Sequence, residues 1–189
     1  MTILIIAEHD NGSLRKSTLN TVTAAQQIGG DVHIAVIGSG ISDVAQQAAA
    51  VAGVSKVLAF DDVALTQATS EIIAAQILGV AAAYSHILAP ATSMGKSTLP
   101  RVAAKLDVAQ VSDIIKVESA DTFVRPIYAG SLLATVQSTD AVKVITVRTT
   151  GFDAAAATGG SAAIESQTIQ TIAGSARFVS SEMAKSDRP

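Results

Sequence analysis

The residues with chemical potential stand in three short groups. Glu8-His9-Asp10 leads into the turn signal Asn11-Gly12. An acid, an imidazole and a second acid in a row are the types that move protons. No serine or cysteine nucleophile in a recognisable elbow accompanies them, so the group reads as a solvated loop after a strand. Gly38-Ser39-Gly40 follows an apolar run and precedes a helical one, the setting of a dinucleotide loop. That fingerprint asks for a third glycine where Asp43 stands. An acid there repels a pyrophosphate from the helix N-terminus, and the segment reads as an ordinary strand–turn–helix connection. Gly95-Lys96-Ser97-Thr98 ends like a phosphate-binding loop, but Pro90 occupies the position of its first glycine. Proline has no N–H to offer a phosphate. Thr92, Ser93, Gly95 and Ser97 still follow a buried strand, the end of a doubly wound sheet where ligands bind. An anion-holding loop over 90–98 therefore stays open.

The remaining polar residues point away from catalysis. Asp61-Asp62, Asp107 and Asp113 flank element ends and read as capping or solubilising groups. Arg125 and Arg148 lie within strand patterns and suit structural ion pairs or an interface. His9, His33 and His86 are far apart in unlike contexts, and the chain has no cysteine. Disulfides, thiolate chemistry and cysteine-based metal sites are excluded, and a histidine metal site is not expected.

Elements that would position these groups are visible as apolar periodicity. Ile3–Ala7, Val32–Ile37, Lys56–Phe60 and His86–Ala89 are short runs without alternation, the pattern of strands buried on both faces of a parallel sheet. Helix-forming segments Ser17–Ile28, Ser42–Val51, Leu65–Ala83 and Leu99–Leu106 lie between them, with Ser17 and Ser42 as candidate N-caps and Gly29-Gly30 and Gly53 as stops. The alternation implies an α/β fold with a doubly wound, mainly parallel sheet. After Asp107 the strand-like segments Asp113–Val117, Thr122–Ile127, Ser131–Gln137 and Ala141–Val147 crowd together, with a turn at Tyr128-Ala129-Gly130. This stretch reads as an added antiparallel hairpin region. Gly151–Ala163 reads as a loop and Ile164–Ile172 as an exposed strand.

Composition bounds the rest. The chain has 189 residues, 49% of them hydrophobic and only 3% aromatic; 35 are alanine. Charged residues are 15%, against about 25% in an ordinary soluble domain. Disorder is excluded, and a face buried against a partner is implied. Thirteen basic and sixteen acidic residues give a net charge of −3, with no basic patch for nucleic acid. The stretch Ile72–Gly95 carries no formal charge, but Gln76, Ser85, His86 and Pro90 interrupt it, so it reads as a buried helix and strand rather than a membrane span. Met1-Thr2 passes directly into the first apolar run with no targeting pattern, which points to a bacterial cytoplasm.

Six ordered blocks carry a resemblance. They are Ala7–Gly12 with Thr18–Ala25; Ala91–Lys105; Ser112–Ile115; Asp121–Gly130; Val147-Arg148 with Phe152–Ala155 and Gly159-Gly160-Ser161; and Lys185–Pro189. Over nearly its full length the chain resembles the N-terminal domain of the electron transfer flavoprotein alpha subunit. The resemblance implies an adenine-nucleotide-hydrolase-like Rossmann variant over residues 1–185, with 186–189 opening a linker toward a FAD domain that this chain does not include. It implies a heterodimer with a beta subunit that holds one FAD. That carrier takes electrons from flavin dehydrogenases, acyl-CoA dehydrogenases of fatty-acid β-oxidation among them, and passes them to a membrane quinone reductase. No FAD-binding, catalytic or metal-binding residue is carried onto this chain, and no flavin is expected on it alone. Its expected role is a platform in an electron carrier, not an enzyme, with Phe123, Arg125, Ile127 and Tyr128 at the subunit interface. The competing reading is an AMP- or ATP-binding module of universal-stress type using the loop 90–98; a P-loop phosphotransferase acting through Lys96 is a weaker one.

Overall fold

A computed structural model describes residues 1–170, 176, 178–180 and 182. Its strands are β1 (Thr2–Ile6), β2 (Asp31–Gly38), β3 (Lys56–Asp61), β4 (His86–Pro90), β5 (Gln110–Ile114), β6 (Lys116–Val117), β7 (Thr122–Ile127), β8 (Leu132–Gln137), β9 (Lys143–Val147) and β10 (Ala163–Ser166). Its helices are α1 (Lys16–Ile28), α2 (Ser42–Ala49), α3 (Ser70–Val80) and α4 (Ser93–Leu106). Seven strands form one sheet in the order β10-β3-β2-β1-β4-β9-β5, every neighbour parallel. The other three form a small antiparallel sheet, β6-β7-β8.

The central strands show why the runs do not alternate. In β1, Ile3 and Ile5 join the core under α1 and α2, while Leu4 and Ile6 join the core under α3 and α4. Successive side chains point to opposite faces, and both faces are covered, so every position is apolar. The doubly wound, mainly parallel α/β fold read from the sequence is therefore the one observed.

Two strands depart from the hairpin reading. β5 and β9 lie in the large sheet, parallel to each other, with β9 between β4 and β5. Val144, Ile145 and Val147 are fully buried, which needs two covered faces and not a hairpin edge. A parallel pair needs a long crossover. Here the crossover is the β6–β8 sheet rather than a helix, so its strands crowd together in sequence without all pairing. Only 116–137 is antiparallel.

Helix starts also differ. The residues before α1 and α2 are Arg15 and Ile41, not Ser17 and Ser42, and neither caps with its side chain. Ser17 Oγ instead donates to Glu8 Oε2 at 2.5 Å. Thr69 caps α3 by accepting from the Ile72 N–H, and a separate 3₁₀ turn holds Val63–Leu65. α4 begins at Ser93, six residues before the expected Leu99, with Pro100 inside it. The exposed strand expected over Ile164–Ile172 is shorter: β10 ends at Ser166, residues 167–170 are in no strand, and 171–172 lie outside the described residues. The linker expected at 186–189 lies outside the described residues.

Candidate functional site

A cavity of about 480 Å³ opens at the carboxyl ends of β1 and β2. β1 stands between β2 and β4, the place where the strand order reverses and doubly wound sheets bind ligands. Ala7–Asn11 forms one wall, Leu65–Thr69 another, and Met94 and Phe178 close the sides. The Glu8-His9-Asp10 group is thus at the mouth, but its polar atoms are engaged locally. Glu8 accepts from Ser17, and the Glu8 N–H donates to Thr18 Oγ1 at 2.9 Å. Asp10 Oδ1 accepts from the N–H groups of Gly12 (3.1 Å) and Ser13 (2.7 Å), and its other oxygen meets Arg15 at 3.0 Å. Those backbone donors, together with the Ser13 hydroxyl, hold the exposed Asp10 carboxyl below its usual range. His9 Nδ1 accepts from the Asn11 N–H, and burial lowers the imidazole's pKa against a smaller opposing effect of the Ile37 backbone. An imidazole held toward its neutral form by burial, and carboxylates that each take local hydrogen bonds, describe a turn and not a proton relay.

The two phosphate-like fragments are occupied by the protein itself. At Gly38-Ser39-Gly40, the Asp61 carboxylate accepts from the Gly40 N–H at 2.7 Å and the Ile41 N–H at 3.2 Å. These are the amides a dinucleotide loop would give to a pyrophosphate, and a β3 side chain already fills that role. Gly95-Lys96-Ser97-Thr98 is not a loop. It lies in the first turns of α4, and a Cβ on Gly95 would sit 2.0 Å from the Pro90 carbonyl oxygen. Gly95 is there so that the helix can lie against the end of β4. Ser97 Oγ pairs with Ser70 Oγ, and Lys96 is exposed. Neither fragment fits the pyrophosphate of FAD. Among the described residues no cluster of His, Asp and Glu could hold a metal.

The other two histidines are structural. His86 is buried between Ser85 Oγ (2.9 Å to Nδ1) and the Ala120 carbonyl (2.6 Å to Nε2). His33 Nδ1 lies 2.9 Å from the Tyr84 hydroxyl. Arg148 is a structural pair, donating from Nε to Asp113 Oδ2 at 2.9 Å, and Asp113 sits at φ 63° where the β5 register shifts.

The four residues assigned to an interface are not equivalent. Phe123 is 0% exposed and part of the main core, so its side chain presents nothing to a partner. Arg125 and Ile127 are half-buried, and Tyr128 is 76% exposed. Tyr128, Ala129 and Gly130 take successive positive φ angles of 48°, 53° and 92°, a strained turn for non-glycine residues. It carries Tyr128 outward beside Leu132 and Leu133, which are 54% and 64% exposed. Sequence reasoning passed over this leucine pair; its signal was two adjacent leucines directly after a tight turn, where strand alternation can bury only one.

No helix among the described residues is long and apolar enough to cross a membrane. The family model for the electron transfer flavoprotein domain matches residues 3–171. The electron transfer flavoprotein subunit alpha of Pseudomonas aeruginosa is 58% identical over 189 residues, all of this chain and 61% of that protein. The subunit alpha of Bradyrhizobium diazoefficiens is 52% identical over all of this chain and 60% of its own length. The mitochondrial subunit alpha of Dictyostelium discoideum is 44% identical, with 58% of it covered. The chain thus spans about three-fifths of the curated relatives it matches. These matches do not favour the nucleotide-module reading.

Proposed function

We infer the function from one premise: the chain belongs to the electron transfer flavoprotein domain family. On that premise it is the N-terminal part of an alpha subunit, working in a heterodimer with a beta subunit. The assembly carries electrons on FAD from flavin dehydrogenases, acyl-CoA dehydrogenases among them, to a quinone reductase, in a bacterial cytoplasm. The observation that carries this is identity of 58% sustained over every residue of the chain.

Within that assembly the chain is a platform rather than a reaction centre. Its candidate phosphate amides are held by Asp61, and its glycine-lysine fragment is helical. FAD is therefore held elsewhere in the assembly, by the two-fifths of an alpha chain that lies outside this span and by the beta subunit. A flavin accepts one or two electrons, and the proteins around it supply position and electrostatics. The surface offered to the beta subunit is the tip of the antiparallel sheet: Arg125, Ile127 and Tyr128 with Leu132 and Leu133. An exposed tyrosine beside two exposed leucines and a half-buried arginine makes an uncovered apolar patch with two of the residue types that anchor interfaces.

The test is co-expression with the beta subunit from the same genome. The expected outcome is a 1:1 complex by gel filtration, while the chain alone elutes without flavin absorbance and shows no micromolar AMP binding by calorimetry. Failure of the chain to co-elute with beta, or a stoichiometric flavin on the chain alone, overturns the reading.

A further inference from the structure

A second cavity, of about 280 Å³, lies where the edge strand β5 meets the antiparallel sheet, lined in part by Gln110, Arg125, Val136, Ser138 and Asp140. Three buried polar atoms there have no hydrogen-bond partner among the described residues: Gln110 Oε1, Arg125 Nε and Ser138 Oγ. Only two others in the described structure share that condition, Thr92 Oγ1 and Thr98 Oγ1, so the three in this cleft are a concentration rather than scatter. Ser138 is 93% buried, its exposure being 7%. Native proteins pair nearly all buried polar atoms, so each orphan needs an account. A desolvated guanidinium N–H without an acceptor is the most costly of the three.

The chemistry of the missing group follows from the donors. Arg125 offers Nε–H and Ser138 offers O–H. Gln110 Nε2 donates to Ser112 Oγ at 2.8 Å. A serine hydroxyl can equally donate, so the amide can turn over without losing that bond, which brings Nε2 into the cleft as a third donor. Three donors lining one cleft, one of them a guanidinium N–H, match the oxygens of a planar oxyanion. The charge around them is balanced. Asp140 stands at the cleft with Oδ2 accepting from the Ala109 N–H, Asp121 is tied in through Gln137, and Lys143 donates to the Asp140 carbonyl. Two carboxylates nearby repel a dianion more strongly than a single negative charge.

We propose that this cleft between β5, β7 and β8 is a receptor for a single carboxylate, held by Arg125 Nε, Ser138 Oγ and the Gln110 amide. The carboxylate comes either from a small free acid or from an acidic side chain of the subunit that covers this sheet; only the second source rests on the proposed heterodimer.

The experiment follows the Arg125 Nε–Hε resonance of the 189-residue chain by NMR. Sodium acetate is titrated against sodium chloride and sodium phosphate at matched ionic strength. The expected result is a saturable shift with acetate only. Arg125→Lys keeps the charge but loses the planar donor; read from the Gln110 side-chain amide resonances, which both proteins retain, it should weaken acetate by at least about tenfold. Ser138→Ala, which removes one oxygen, gives a second reading should the arginine variant fail to fold. A response to acetate no different from chloride means the cleft holds water, and an equal response to phosphate means unselective anion contact; each overturns the proposal. Addition of the beta subunit then separates the sources. A shift at Arg125 with loss of acetate binding assigns the carboxylate to the partner, and retained acetate binding assigns it to a free acid. A chain that binds acetate yet never associates with beta refutes the heterodimer reading alone.

Discussion

The seven-stranded sheet and the three-stranded sheet divide this molecule between them in an unexpected way. The large sheet has the shape that binds nucleotides: parallel strands, a reversal at β1 and a cavity at the carboxyl edge. Yet its loops are closed from within, by Asp61 on the Gly40 and Ile41 amides and by Asp10 on its own turn. The small sheet has no such shape, being only a crossover between β5 and β9. It nonetheless carries the exposed Tyr128, Leu132 and Leu133 and an Arg125 Nε that has no partner among the described residues. A fold's customary ligand edge can be silent while an inserted connection holds the open valences.

The comparison is most severely tested at Phe123, which joins the two regions. It lies on β7 but is buried with Val111, Ile114 and Val147 in the core of the large sheet. Phe123→Ala should destabilise the chain by about 3–5 kcal/mol, the range for a fully buried phenylalanine, read from urea denaturation of the chain alone. A loss under about 1 kcal/mol would mean the small sheet is not anchored there, and would return Phe123 to the interface.

A smaller effect separates architecture from chemistry at the start of α4. Gly95→Ala puts a methyl 2.0 Å from the Pro90 carbonyl oxygen, a backbone atom that cannot step aside, so a loss of about 1–3 kcal/mol is expected. Lys96→Ala, on an exposed side chain, should stay within about 0.5 kcal/mol. A phosphate-binding loop demands the reverse pattern, in which lysine matters for nucleotide affinity. If Lys96→Ala abolished a measurable nucleotide affinity, the large sheet would not be silent.

How much of this was legible beforehand depends on the range of the cause. β1 to β4 were legible because burial on both faces writes itself into each strand locally, as in Ile3–Ile6. β9 was not, since its neighbours β4 and β5 are chosen by the crossover and not by its own residues. The start of α4 was not legible because proline more commonly marks the first turn of a helix, whereas here Pro100 lies in the interior. The Asp61 cap was readable only as an acid at a strand end; its bonds to residues 40 and 41 are tertiary. The cleft at Arg125 needs positions 110, 125 and 138 to converge, which no local pattern announces.

Acid titration sharpens the contrast further. Burial lowers the pKa of His86 below 6.5; its bond to the Ala120 carbonyl opposes this in part, and Lys143 and the chain's amino terminus push the same way as burial. The folded state thus binds its proton less readily than the unfolded state. Stability from this group is full above about pH 6.5 and is lost as pH falls toward the lower folded value. His9 and His33 shift in the same direction, each led by burial. Urea midpoints should fall between pH 7 and pH 5, and His86→Gln should flatten part of that slope. An unchanged slope would place His86 outside the transition. Asp121, half-buried in the turn before β7, is held at about 2, chiefly by the Gln137, Thr122 and Ser119 side chains, so it titrates well below this window.

At the hairpin tip the expected change in the chain's own stability is as small as at Lys96, and it discriminates most finely between the two regions. Tyr128 and Leu133 are 76% and 64% exposed, so Tyr128→Ser and Leu133→Ser remove little buried surface and should shift stability by about 0.5 kcal/mol or less. If the tip is the surface the beta subunit covers, the same variants should weaken the complex by about tenfold or more, since a central aromatic contact commonly costs over 1 kcal/mol when truncated. Two measurements on one pair of variants therefore decide the matter: urea denaturation of the chain and titration with the beta subunit. Unchanged stability with weakened binding assigns the tip to the interface. Unchanged stability with unchanged binding moves the interface off the small sheet and leaves its exposed side chains without a partner.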